Sequence, residues 1–345
     1  MERREMPDLW TPDGTYLNTA TYGLPPRPAW DALQDALDDW RTGRTSWEHW
    51  QDEADAARAT FARMVRVPPE NVAIGATVSG LVGLVASSVP DGSRVLAPEI
   101  EFTSALFPFL VQQHRGVEVR LVPAASVAEA IDRETDVVVC SAVQMASGEV
   151  ADLDGIAEAA TANGAMTVVD ATQAAGWLPI DASRFDVVVA AGYKWLLTLR
   201  GTAYMAVRRE RLAGLVPHAA GWYAGEHPHE TYFGPPLRLA SSARRLDTSP
   251  AWHCWIVGAR SLSVLEKIGI ERIHEHDVAL ANRFREGLGL EPGDSAIVFC
   301  DAPGGAERLE RAGIRAAVRG GRVRTSWHVY NGDADVDRTL DALLG

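Results

Sequence analysis

The chain has 345 residues, enough for one large domain or a large and a small one, and its 47% apolar and 23% charged content is that of a soluble globular protein. A formal charge of −13, from 33 basic and 46 acidic residues, argues against nucleic acid, and neither RREM near the start nor VRGGRVR (318–324) is long enough for a polybasic arm. No apolar run reaches the length of a membrane span, MERREMPDLW has no hydrophobic core of a signal peptide, and cysteines 140, 254 and 300 have no metal-like spacing; a reducing cytoplasm is the expected location, with no metal and no membrane partner.

The spacing of apolar residues predicts amphipathic helices over 28–42 and 46–65, the second with Trp47, Trp50, Ala54, Ala57, Phe61 and Met64 on one face. Seven strands are then predicted in order: VAIG (72–75), SRVLA (93–97), VEVRLV (117–122), DVVVCSA (136–142), MTVVDA (166–171), DVVVAAG (186–192) and TAYMAVR (202–208). Helical stretches such as SGLVGLVASSV, LFPFLVQQH and DLDGIAEAATANG fill most of the gaps. This alternation implies an α/β fold with a mainly parallel sheet, and Val-rich strands without polar alternation imply that both faces are covered. Cys140 and Cys300 fall in strand-like runs and read as core. Residues 221–250, rich in aromatics, Gly, Pro and His, read as a long irregular connection, and a helix over 252–275 then leads into a smaller α/β segment.

Two of the predicted strands end on residues with chemistry to offer. Asp170 closes one, with Gln173 three residues on, and Lys194 follows the other in DVVVAAGYKWLL (186–197). A lone lysine after a strand is ordinarily a solvated charge, and Asp170 is equally suited to cap the next helix. Together, at neighbouring carboxyl ends where open sheets collect ligands, they suit pyridoxal 5′-phosphate (PLP). That cofactor needs an amine for its imine and a carboxylate to keep its pyridine nitrogen protonated. Gly75-Ala76-Thr77, between a strand and a helix, would hold a phosphate or simply cap the helix. Phe102 would stack on a flat ring or pack in the core.

These segments, in this order, resemble the class V aminotransferase family of PLP enzymes, which includes cysteine desulfurases, kynureninase and several lyases. The resemblance runs through YLNTATYGLPP (16–26), GAT (75–77), EIEFTS (99–104), SAVQMASGEVADL (141–153), DATQAAGWLPID (170–181), GYKWLLTLRGT (192–202), RRLDTSP (244–250) and VRTSWHVYN (323–331). It implies the PLP-dependent transferase fold type I: a seven-stranded large domain over 16–240, and a small C-terminal α/β domain made of 1–15 and 241–345. It also implies a homodimer with a composite active site and a small amino-acid substrate.

Carried over residue by residue, the resemblance makes Lys194 the internal aldimine and the mover of protons at the substrate α-carbon. Asp170 would pair with the pyridinium nitrogen and Gln173 with the ring hydroxyl. Ala76 and Thr77 would bind the phosphate, with Thr248 contributed from the partner subunit. Phe102 takes the stacking position and Tyr193 lies beside the cofactor. Arg324 would grip the substrate carboxylate, and Asn18 and Tyr22 would also face the substrate.

The departures bear on the reaction. Phe102 stands where desulfurases have histidine, and no loop bears a nucleophilic cysteine; Cys254, in AWHCW, is the one worth testing. Ala191 replaces a Ser or Thr, Tyr193 replaces the more usual histidine (kynureninase also has tyrosine there), and Asp247 and Ser249 replace the usual flanks of Thr248. The expected activity is C–S lysis, a β-elimination from a cysteine-derived substrate through a quinonoid carbanion. Transamination and racemisation or epimerisation are the alternatives, and a cofactor-free scaffold is the non-enzymatic one. The stretch 221–236, with Trp222, Tyr223, His227 and His229, either shapes the substrate side-chain pocket or is a surface loop.

Overall fold

A computed structural model describes residues 9–345; residues 1–8, which hold RREM and the start of the segment assigned to the small domain, lie outside the described residues. After a short strand β1 (Thr15–Tyr16), the chain forms helices α1 (Arg27–Thr42) and α2 (Trp47–Met64). Alternation follows: β2 (Val72–Gly75), α3 (Val78–Ser88), β3 (Arg94–Pro98), α4 (Thr103–Leu110), β4 (Glu118–Val122), α5 (Val127–Ala130), β5 (Val137–Ser141), α6 (Leu153–Asn163), β6 (Met166–Asp170), β7 (Val187–Ala191) and β8 (Ala203–Val207).

All seven expected strands join one sheet, in the order β2-β8-β7-β6-β5-β3-β4, and only β8 runs antiparallel to its neighbours. Alternate residues feed two cores. Val138, Val169 and Val188 face Phe61, Trp177 and Trp255, whereas Val139, Val168 and Val189 face Leu81, Val85 and Phe109. Burial on both faces explains the lack of polar residues in these strands. Cys140 is buried in β5.

The helix expected over 252–275 is two helices, α7 (Trp252–Ile268) and α8 (Ile270–Gly287). Gly269 breaks them with φ +93°, a backbone conformation that apolar periodicity does not register. Helix α7 packs against α1 and α2, and its Trp255, Ala259 and Leu262 join the large core. Helix α8 turns away to cover the second sheet.

That sheet holds β9 (Ile297–Cys300), β11 (Ala317–Arg319) and β12 (Arg322–Ser326) in antiparallel order β11-β12-β9. The Gly320-Gly321 turn, with φ +55° and +79°, is the two-residue connection such hairpins favour. Helices α8, α9 (Gly305–Arg311) and α10 (Asp333–Leu344) pack over it through Phe284, Leu309, Val336 and Leu343. The N-terminal segment stitches the two sheets together. β1 pairs with β10 (Ile314–Arg315), Asn18 bridges Ser326, and Gly23 donates its N–H to the Tyr193 carbonyl at 2.9 Å.

Candidate active site

The parallel register sets the end of the sheet. Ser141 lies opposite Asp170, and Asp170 opposite Val189, so β5, β6 and β7 finish at one level. Asp170 is the last residue of β6, and Lys194 comes three residues after β7 ends at Ala191. The loop that carries Lys194 is tightly held: Thr198 N–H bonds the Gly192 carbonyl at 3.0 Å, the Thr198 and Thr202 hydroxyls bond each other, and Ser261 Oγ holds the Leu197 carbonyl at 2.8 Å. Leu197 itself takes φ +58°, a strained position for a non-glycine residue that these contacts enforce.

Lys194 is buried, and its Nζ lies 5.5 Å from the centre of the Phe102 ring and 5.9 Å from that of Tyr193. Burial lowers its pKa to about 8, against the attraction of Asp170; Arg324, Arg200 and Arg319 add to the lowering. Asp170 is buried too. Its Oδ1 accepts the Thr172 N–H at 2.8 Å, as a helix cap would, and burial raises its pKa against that bond and Lys194. A buried carboxylate without an ion pair among the described residues fits a cationic partner such as a protonated ring nitrogen.

Gln173 is also buried, with Nε2 on the Ala20 carbonyl at 3.0 Å and Oε1 receiving the Trp195 indole N–H at 2.8 Å; its amide keeps one further proton to donate. Phe102 caps α4 and donates its N–H to the neighbouring Glu101 carboxylate at 2.7 Å. Ala76 and Thr77 are exposed at the start of α3, where Thr77 Oγ1 accepts the Gly80 N–H at 3.1 Å and leaves its own proton free.

Arg324 is fully buried on β12. One nitrogen donates to Thr21 Oγ1 at 2.6 Å, while Nε and Nη1 are buried with no partner. Asn18 Oδ1 is likewise buried without a partner. Orphaned buried polar atoms are costly, and a bound group would satisfy these two residues. Tyr22 packs on Tyr193 with ring centres 5.5 Å apart, and its hydroxyl accepts the Arg200 N–H at 3.2 Å. Thr248 follows Asp247, which sits at the outer edge of β2, bonded to the Ile74 N–H at 2.8 Å and to Arg58 at 2.6 Å.

The structure adds residues that sequence reasoning passed over. His328 is wholly buried, with Nδ1 2.8 Å from Asp277 on α8 and Nε2 3.1 Å from the Trp195 carbonyl. It ties the small sheet to the residue after Lys194. Buried Glu101 holds the N–H and hydroxyl of Ser141 behind the Phe102 position, and burial raises its pKa. His328 and Glu101 lie inside matched segments, so their presence was legible, but their partners are far along the chain. The ring contacts of the 222–232 stretch run to Trp47 and Trp252, where Trp47 stacks on His229 at 4.8 Å and on Trp252 at 5.6 Å.

The model of the aminotransferase class-V family matches residues 16–300. The chain belongs to that family. Family membership makes it an enzyme whose cofactor is PLP, and the donors above fit that group: an amine, a buried carboxylate, a stacking ring and a helix N-terminus. Over its whole length it is similar to an uncharacterised aminotransferase, YcbU, of Bacillus subtilis (strain 168), at 28% identity and covering 99% of this chain and 96% of the relative. It is 29% identical to isopenicillin N epimerase of Streptomyces clavuligerus, covering 83% of each chain. The fold-type I architecture is shared with a solved complex of the cystine C–S lyase C-DES and cysteine persulfide, at TM-score 0.85 and 21% identity over 96% of this chain and 97% of that one.

Proposed function

We propose that this enzyme cleaves the carbon–sulfur bond of a cysteine-derived amino acid by β-elimination, with Lys194 as the base at the α-carbon. The observation that carries the amino-acid part is Arg324. Two of its buried nitrogens have no partner, its charge acts on Lys194, and a guanidinium fork is suited to an α-carboxylate. Bound PLP supplies an electrophilic aldehyde and an electron sink.

The chain's own residues do the rest. A lysine whose pKa is about 8 is neutral in roughly a tenth of molecules at pH 7, far more than an ordinary lysine, both to anchor the cofactor and to take the α-proton. Asp170 keeps the ring nitrogen cationic, Gln173 donates to the ring hydroxyl, and Tyr193 and Phe102 flank the ring. Ala76 and Thr77 hold the phosphate, joined by Thr248 of the partner subunit in a homodimer. Asn18 and Tyr22 line the substrate side with Arg324. In this reading 16–240 holds the cofactor and 1–15 with 241–345 bring Arg324 over it, although α7 belongs to the first core by packing.

The C–S lyase reading is supported by the cysteines. Cys140 and Cys300 are buried in strands, and the Cys254 thiol, whose pKa burial raises, rests on the Arg200 carbonyl at 3.2 Å. A persulfide relay needs a mobile thiolate, which none of the three offers. The Phe102 ring offers no second acid or base, which disfavours racemisation. The C-DES likeness points the same way.

The test is incubation of the holoenzyme with cysteine conjugates, sulfoxides and ordinary amino acids. Elimination removes the α-proton and expels the sulfur group, and the released 2-aminoacrylate adds water to give pyruvate and ammonia. Those products are expected. A new keto acid without ammonia would instead make the enzyme an aminotransferase, and an inverted stereocentre an epimerase.

A further inference from the structure

In a chain of net charge −13, three arginines without acidic partners among the described residues act on Lys194. Arg324 has two orphaned nitrogens. The Arg200 guanidinium lies 4.6 Å over the Tyr193 ring, which is itself 5.9 Å from Lys194 Nζ. Arg319 stands on the hairpin strand that faces β12. Ala317 pairs with Arg324 and Arg319 with Arg322, so Arg319 projects from the same face as Arg324, one alternate position along.

Among the described residues none of the three has a carboxylate within ion-pair distance, whereas Arg322 next door pairs with Asp301 at 3.2 Å and Arg58 with Asp247 at 2.6 Å. The nearby acids are engaged: Asp170 with Thr172 and the field of Lys194, Glu101 with Ser141. The electrostatics agree. Beyond burial, Arg324, Arg200 and Arg319 each lower Lys194, and Arg319 also lowers Arg324. One α-carboxylate satisfies Arg324, and the phosphate has its donors at the start of α3. Two exposed guanidinium groups on the rim remain.

We infer that the substrate carries a second anionic group at the far end of its side chain, received by Arg200 and Arg319; on the lyase reading, it is a cysteine S-conjugate ending in a carboxylate. The inference rests on the reading that Arg324 takes the α-carboxylate of an amino acid.

The test compares two ligands of one shape and different charge, S-carboxymethylcysteine and S-carbamoylmethylcysteine, on the holoenzyme. Two readouts are taken: kcat/KM for pyruvate release, and the ligand concentration that perturbs the cofactor absorbance. The carboxylate is expected to be preferred about tenfold at low salt, since exposed pairs contribute modestly, and the preference should shrink at about 0.5 M salt. In Arg200→Gln/Arg319→Gln the ratio should fall to near one. A ratio near one in the natural protein, or a ratio unchanged in the double variant, would overturn the second-anion assignment alone; an intact cofactor band that neither ligand perturbs would overturn the cysteine-conjugate reading together with it. A holoenzyme with no cofactor band would overturn the PLP reading beneath it.

Discussion

Lys194 is buried, and burial is what lowers its pKa. That pKa of about 8 lies below the ordinary lysine value of 10.5, so the fold disfavours the ammonium. The sign follows: between those values the unfolded chain binds more protons, the penalty on the folded state is full below about pH 8, and stability from this group rises as pH climbs through the window. The same shift predicts that the apo-protein captures PLP faster as pH rises through about 8, followed as growth of the imine absorbance; a flat profile from about pH 7 to 10 would contradict the assignment. Arg324 makes a second prediction. Arg324→Lys loses the fork and should raise KM for amino-acid substrates about tenfold or more, with a smaller change in kcat. Unchanged kinetics would move the carboxylate elsewhere.

Elements place these residues through contacts between distant parts of the chain. The segment after β1 presses on the Lys194 loop so closely that a Cβ on Gly23 would lie 2.0 Å from the Lys194 carbonyl oxygen. Gly23→Ala should therefore displace the loop, destabilise the protein by about 1–3 kcal/mol and weaken PLP retention; thermal melts and cofactor dialysis read the two effects, and a variant that keeps both would show that the loop yields freely. At the open edge of β2, Asp247 pairs with Arg58 and both are buried. Asp247→Ala leaves that guanidinium without its carboxylate and should cost about 3–5 kcal/mol in stability. A loss below about 1 kcal/mol in chemical denaturation would mean that Arg58 is resolvated.

For the whole molecule, the proposed homodimer makes a stringent prediction. Thr248 hangs from the Asp247 anchor on β2, while Lys194 stands at the ends of β6 and β7. If each site takes Thr248 from the other subunit, Lys194→Ala and Thr248→Ala chains mixed under exchange conditions form hybrids with one complete site. Activity should reappear on mixing, up to about a quarter of the natural level for random pairing of such dimers. No recovery, despite hybrid formation shown by mass, would place Thr248 in its own subunit's site or in none. Among the described residues, no helix is long and apolar enough to cross a membrane.

Much of this was legible in local pattern. Val-rich runs declare strands covered on both faces, and all seven appear within a residue or two of their expected bounds. Asp170 and Lys194 declare themselves because a parallel strand delivers its last residue to one edge of the sheet. Gly269 hid in a helical pattern, since apolar spacing continues across it. Arg200, Arg319 and His328 lie in quoted segments, but nothing local showed what surrounds them or that His328 pairs with Asp277. Their partners lie across the fold, His328 against the Trp195 carbonyl and Arg319 on the hairpin face beside Arg324. Sequence by itself determined the sheet, the lysine and its acid, because those follow from periodicity and from which residue ends a strand. Tertiary structure alone decided which cations stand unpaired and which polar atoms are orphaned, because pairing is settled by distance in space and burial, neither of which a linear order contains.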